Sequence, residues 1–207
     1  MLNVTGVKVC GICRLEDALR AAELGASHLG FIFWPNSPRW IDPLRARDIA
    51  AALPAHVTTV GVFVDQPVEY VIEVSRLVPL GAVQLHGGES LDAFAAVSQP
   101  LIKAVAVSDR FDASEIERLP AHVTVLLDAH DPTRRGGTGR PIDWDIAAAV
   151  AAKRRTILSG GLSAANVATA IARVHPYMID VSSGVESAPG RKDPDKLSAF
   201  FAAVGAA

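Results

Sequence analysis

The chain has only two cysteines, Cys10 and Cys13, in 207 residues, too few for a disulfide framework. It has no excess of one charge. Twenty Lys and Arg stand against 22 Asp and Glu, a formal net charge of −2, so a partner held by bulk electrostatics is not expected. Its arginines are scattered rather than massed into a basic tract, which argues against a nucleic-acid ligand. It has no unbroken apolar run of the ~18 residues that a membrane span requires. The opening Met1-Leu2-Asn3-Val4-Thr5-Gly6 lacks the charged and apolar regions of a secretory signal. These absences predict a cytoplasmic protein with no nucleic-acid, membrane or obligatory protein partner.

What is present is a regular alternation. Half of the residues are hydrophobic, enough to bury the core of one domain spanning 1–207. Short Val/Ile/Leu runs alternate with Ala-rich amphipathic stretches. The predicted strand–helix pairs are Val7–Ile12 with Leu15–Leu24, His28–Phe33 with Pro43–Leu53, and Thr58–Val64 with Pro67–Val78. Ala82–His86 pairs with Ser90–Val97, Leu101–Val107 with Ala113–Leu119, and Val123–Asp128 with a helix near Asp143–Ala152. Thr156–Ser159 with Ala164–Val174, and Met178–Ser182 with Pro194–Val204, complete the set. Continuously apolar strands joined by helices imply a parallel sheet covered by helices. Eight such units with no linker or appended domain favour closure, so the predicted fold is α/β, a single-domain (β/α)8 TIM barrel.

In such a barrel the chemistry sits where strands end, and residues two apart along a strand share a face. Lys8 and Cys10 share one face of the first strand, Gln84 and His86 one face of the fourth, and Asp128 falls with Leu126 and Thr124 in the sixth. One parity thus places an ammonium, a thiol, an amide, an imidazole and a carboxylate around one mouth. Each also has a structural alternative: Cys10 as a small buried hydrophobe, His86 as a packed histidine, Asp128 as a turn cap. Lys8 is harder to place without chemistry, because an interior ammonium needs an anionic partner. Cys10-Gly11-Ile12-Cys13 matches a C-x-x-C spacing, but it lies in a strand and has no further cysteine pair, so redox or metal use is not expected.

Two Gly-rich loops follow the last two strands: Ser159-Gly160-Gly161-Leu162, and Ser182-Ser183-Gly184-Val185-Glu186. Backbone N–H groups in such loops approach an anion closely, and this is the usual phosphate cradle of the fold. Tight βα turns are the competing explanation for these glycines. Arg134-Arg135-Gly136-Gly137-Thr138-Gly139 is a third Gly-rich segment, suited to a lid or an anion contact.

These pieces, taken in order, resemble the phosphoribosylanthranilate isomerases of tryptophan biosynthesis. The matching segments include Lys8-Val9-Cys10-Gly11-Ile12, Gly30-Phe31-Ile32-Phe33, Ser37-Pro38-Arg39, Gln84-Leu85-His86-Gly87 and Leu127-Asp128. Gly136-Gly137-Thr138-Gly139, Asp143-Trp144, both phosphate-loop candidates and Pro189-Gly190-Arg191-Lys192-Asp193 extend the resemblance over essentially the whole chain. The resemblance implies a cofactor-independent, metal-free Amadori rearrangement of an aminoaldose to an aminoketose, with a phosphosugar–anthranilate as its small-molecule partner. It assigns Cys10 as general base, Asp128 as general acid and Arg39 to the anthranilate carboxylate. The phosphate falls to Gly160, Gly161, Ser182, Ser183 and Gly184. Lys8, Gln84, His86, Gly137 and Gly139 are expected as further mouth residues. Cys13 departs from the threonine or other polar residue usual in that family.

Three other readings compete. The related histidine-pathway isomerase uses two carboxylates, one of them where Cys10 stands. A Schiff-base aldolase would need a lysine near a strand end, and Lys103 is the candidate besides Lys8. A non-catalytic phosphoribosyl sensor would not need both Cys10 and Asp128.

Overall fold

A computed structural model describes residues 6–108, 111–129 and 142–207. Eight parallel strands close in sequence order: β1 (Gly6–Cys10), β2 (His28–Ile32), β3 (Thr58–Phe63), β4 (Ala82–Leu85), β5 (Leu101–Val107), β6 (Thr124–Ala129), β7 (Thr156–Leu158) and β8 (Met178–Val181). The β1–β8 pairing completes the barrel and sets Lys8 directly opposite Asp180. Seven α-helices stand among the described residues: α1 (Leu15–Glu23), α2 (Pro43–Ala51), α3 (Val68–Leu77), α4 (Ala113–Glu117), α5 (Trp144–Ala151), α6 (Val167–Val174) and α7 (Pro194–Gly205).

The alternation seen in the sequence separates two apolar layers. Val60, Ala82, Ile102, Leu126, Ile157 and Met178 fill the barrel interior. Residues of the opposite parity, such as Leu29, Phe31, Leu85, Leu127 and Ile179, pack outward against the helices. Asp42, Asp143 and Asp193 start α2, α5 and α7 by accepting from backbone N–H groups of the first turn. Each such cap contributes about 1 kcal/mol. Pro43 and Pro194 follow two of these caps at positions where a missing N–H costs nothing.

Two features differ from the sequence expectation. The predicted helix Ser90–Val97 is only a 3₁₀ turn, Leu91–Phe94, in which Phe94 alone is buried. A stretch this short before Pro100 fully buries one apolar side chain, with Leu91 and Val97 only partly covered, which is insufficient to offset the cost of helix nucleation. After β8 the chain forms a small antiparallel hairpin, β9 (Glu186–Ala188) with β10 (Arg191–Lys192), which the strand–helix alternation did not foreshadow.

Candidate active site

The C-terminal ends of the strands open onto a cavity of about 490 Å³. Cys10, Gln84, His86, Asp128 and Asp180 all reach it, from β1, β4, the residue after β4, β6 and β8. The parity read from the sequence therefore does converge on one mouth. Lys8 corrects that expectation in part. It lies two residues before the end of β1, hence one layer deeper, and is fully buried beneath the cavity surface rather than lining it.

The Lys8 ammonium is 2.8 Å from Asp180 Oδ1, and Ser159 Oγ donates to Asp180 Oδ2 at 3.2 Å. Burial opposes the Lys8 charge, but Asp180 and Cys10 outweigh it and hold the ammonium above the usual lysine range. Burial pushes the Cys10 thiol up, with Lys8 pulling it back down and Asp180 adding to the rise. Gly30 makes this pairing sterically possible. A Cβ there would stand 2.8 Å from Cys10 Sγ and 3.2 Å from Lys8 Nζ, so a hydrogen at this position lets thiol and ammonium sit side by side.

Across the mouth, Asp128 Oδ1 accepts from its neighbour's N–H, Ala129, at 2.8 Å, and Oδ2 lies 3.4 Å from His86 Nε2. Gln84 Nε2 is 2.9 Å from His86 Nδ1. This contact and Asp128 hold the imidazole from its two ring nitrogens, and the tautomer follows from which Gln84 amide atom faces Nδ1. Gln84 Oε1 is buried with no partner. His86 is held from behind by its own loop. Glu89 accepts from Gly87 N at 2.9 Å and from Lys103 Nζ at 2.7 Å, and Lys103 also donates to the Gly87 carbonyl at 2.8 Å. Lys103 is thus an anchor for that loop and not a nucleophile facing the cavity, and Lys8, the other candidate, is buried and paired with Asp180, so neither lysine supports a Schiff-base aldolase.

The two loops expected to cradle phosphate form one wall. Gly160 and Gly161 have φ of +89° and +64°, the left-handed region that favours glycine. A Cβ on Gly184 would collide with the Leu162 carbonyl, so the loops after β7 and β8 meet backbone to backbone. Asn166 braces the first, accepting from Ser163 N at 2.8 Å and donating to the Gly161 carbonyl at 2.9 Å. Ser182, Ser183 and Gly184 line the cavity, and Ser182 Oγ is buried without a partner. Gly137 and Gly139, with the rest of the Arg134–Gly139 segment, lie outside the described residues.

The opposite wall is apolar, built from Ile32, Trp34, Val62 and Val64, with Arg39 at its edge. Arg39 follows the Ser37–Pro38 turn, in which Ser37 Oγ accepts from Arg39 N at 3.1 Å. The resemblance assigns its guanidinium to the anthranilate carboxylate; in the structure one edge is already bound. Arg39 Nε and Nη2 clasp Glu186 at 2.9 and 2.7 Å. Glu186 is in turn held by Lys192 Nζ at 2.9 Å.

Asp180, Ser159 and the Glu186–Lys192 pair were missed as functional candidates. Asp180 carried a usable signal: it shares strand parity with Met178 and Ser182, the same rule that located Cys10, His86 and Asp128. The Glu186–Arg39 ion pair crosses 147 residues, a separation no local pattern reveals. Cys13 lies off the mouth, its thiol 3.3 Å from the Arg39 carbonyl.

The model of the N-(5′-phosphoribosyl)anthranilate (PRA) isomerase family matches residues 7–203. An N-(5′-phosphoribosyl)anthranilate isomerase of Pelobacter propionicus is 47% identical over 197 residues, 94% of this chain and 93% of the relative. The crystal structure of phosphoribosyl anthranilate isomerase from Thermotoga maritima superposes with a TM-score of 0.91 at 40% identity, covering 98% of this chain and 100% of that one. Another phosphoribosyl anthranilate isomerase structure, in complex with reduced 1-(o-carboxyphenylamino)-1-deoxyribulose 5-phosphate, gives a TM-score of 0.87 at 39% identity, with 98% and 100% coverage. This chain belongs to the N-(5′-phosphoribosyl)anthranilate isomerase family.

Proposed function

We propose that this chain converts N-(5-phosphoribosyl)anthranilate to 1-(2-carboxyphenylamino)-1-deoxyribulose 5-phosphate with Cys10 as general base and Asp128 as general acid. The observation that carries the assignment is the placement of a thiol and a carboxyl at the ends of β1 and β6 on one cavity. A donor-rich glycine wall and an apolar wall edged by arginine complete that cavity. The phosphate sits against Gly160, Gly161 and the Ser182–Gly184 turn, where N–H groups and the orphan Ser182 hydroxyl receive it. The aryl ring lies on the apolar wall with its carboxylate at Arg39. A phosphosugar substrate is charged and stays where it is made, which supports a cytoplasmic setting for one barrel domain spanning 1–207.

Chemistry begins when Asp128, entering the cycle protonated and reprotonated from solvent after product leaves, gives its proton to the furanose ring oxygen. The C1′–O bond breaks as the nitrogen lone pair forms a C=N bond, leaving a cationic Schiff base. That cation acidifies C2′–H and at the same moment favours the thiolate beside it. Burial first, then Asp180, holds the Cys10 thiol up, so Lys8 and the iminium together supply the opposing charge under which the thiol releases its proton to solvent at the mouth. Cys10 removes the C2′ proton, the electrons move into a C1′=C2′ enolamine, and tautomerisation puts a proton on C1′ and a carbonyl at C2′. Each step is a proton transfer, the class of catalysis that typically contributes 10²–10⁴-fold per group. Supplying the purified protein with substrate generated in situ tests the reading. The anthranilate fluorescence falls and the product shows a ketone at C2′; persistence of the aldose adduct at its spontaneous rate of decay would refute the assignment.

A further inference from the structure

Hairpin β9–β10 crosses beside the mouth and brings two buried charges that carry no proton in the acid–base steps, although Lys192 adds to the pull of Lys8 on the Cys10 thiol. Glu186 occupies the Nε/Nη2 edge of Arg39 and also accepts from Lys192 Nζ and Gly190 N. Lys192, nearly free of solvent, donates further to the Cys10 carbonyl at 2.6 Å and the Ser182 carbonyl at 3.2 Å. Three acceptors match the three N–H bonds of an ammonium and exceed the two of a neutral amine. Burial works against that charge and Glu186 works for it.

A guanidinium has two edges that can each grip a carboxylate, Nε/Nη2 from the side and Nη1/Nη2 end-on. With the first edge taken, only the end-on edge remains, and among the described residues none accepts from Nη1. Gly11 (φ +75°) keeps this arrangement open, since a Cβ there would lie 2.6 Å from Arg39 Cδ. The charge count gives the second half of the inference. An isolated Arg39–Glu186 pair is neutral and would offer an incoming anion no net attraction. The second cation, Lys192, leaves the cluster with one positive charge, the complement of one carboxylate. Two further charges touch the hairpin, Asp17, which accepts from the Lys192 backbone N–H at 3.0 Å, and Lys196, which donates to the Glu186 carbonyl at 2.7 Å; being of opposite sign, they leave that sum unchanged.

We propose that Glu186 and Lys192 are the specificity-determining pair of this site. Glu186 turns the end-on edge of Arg39 to the cavity, and Lys192 restores the positive charge that selects an aryl group bearing a carboxylate. The proposal rests on the reading of Arg39 as the carboxylate anchor. Neither residue touches the reacting atoms; both act as positioning residues through Arg39.

The test compares two substrates that differ only in the carboxylate, the anthranilate adduct and N-(5-phosphoribosyl)aniline formed from ribose 5-phosphate and aniline. The readout is the ratio of their kcat/KM values, with kcat and KM separated. A charge-assisted bidentate contact corresponds to a wild-type preference of about 10–100-fold for the carboxylate substrate, and Arg39→Ala abolishes it. Glu186→Gln and Lys192→Met each lower the preference by about tenfold, the change in the ratio falling on KM for the carboxylate substrate. Glu186→Asp restores part of the preference. A wild type with no preference would overturn the Arg39 reading itself. A wild-type preference that Arg39→Ala abolishes but Glu186→Gln and Lys192→Met both retain would overturn this proposal alone. Equal loss on both substrates would also overturn it, by assigning the hairpin a purely structural role.

Discussion

Lys8 Nζ and Asp180 Oδ1 lie 2.8 Å apart in the floor of the cavity, on directly paired positions of the two strands that close the barrel. Breaking such a buried pair from one side leaves an uncompensated charge, at a cost of about 3–5 kcal/mol. Lys8→Met is therefore expected to destabilise the protein by that order in urea unfolding. The double variant Lys8→Met/Asp180→Asn should lose clearly less than the sum of the two single variants. Strict additivity would mean that the two groups do not interact.

The Cys10 thiol is held up by burial, with Lys8 opposing and not reversing the effect. In a Cys13→Ser background, the rate of Cys10 alkylation by iodoacetamide should rise with pH toward a midpoint above that of free cysteine. A midpoint below free cysteine would show that Lys8 dominates, and the iminium would not be needed to favour the thiolate.

His28, at the opposite end of the barrel, is held near pKa 4 instead of 6.5 by burial first, then by Lys8 and Arg155, against the pull of Asp180. Its folded form resists protonation while the unfolded chain takes up a proton at its ordinary pKa. The contribution of His28 to stability is thus complete above pH 6.5 and is lost as pH falls toward 4. Melting temperatures should drop over that interval, and His28→Gln should make the drop shallower. An unchanged slope in the variant would contradict this.

Gly30 carries no functional group, yet it borders both Cys10 Sγ and Lys8 Nζ. Adding one methyl group with Gly30→Ala forces the thiol aside, and a displacement of about 1 Å costs on the order of 10²-fold in rate. The expected result is a fall in kcat with a nearly unchanged KM. Full turnover would show that the thiol position is not critical.

Much of this was legible in the sequence for a physical reason. A parallel barrel forces period-two alternation on every strand, so Cys10, Gln84, His86 and Asp128 announce their shared mouth by parity alone. The glycines at 160, 161 and 184 mark backbone conformations or contacts that few other residues tolerate. The depth of Lys8 was not legible, because parity gives the face and not the layer. Nor was the hold of Glu186 on Arg39, which depends on a hairpin inserted after β8. Nor was the 3₁₀ turn Leu91–Phe94, since amphipathic spacing persists in segments too short to nucleate a helix.

Cys10 and Asp128 act as separate proton carriers, the central step of the proposed mechanism. The measurement is single-turnover kinetics of Cys10→Ser and Asp128→Asn with substrate generated in situ, alongside thermal melts that show both variants folded. Each variant should bind substrate with near wild-type affinity and lose about 10²–10⁴-fold in the chemical step. Full activity in both variants would contradict the acid–base assignment outright.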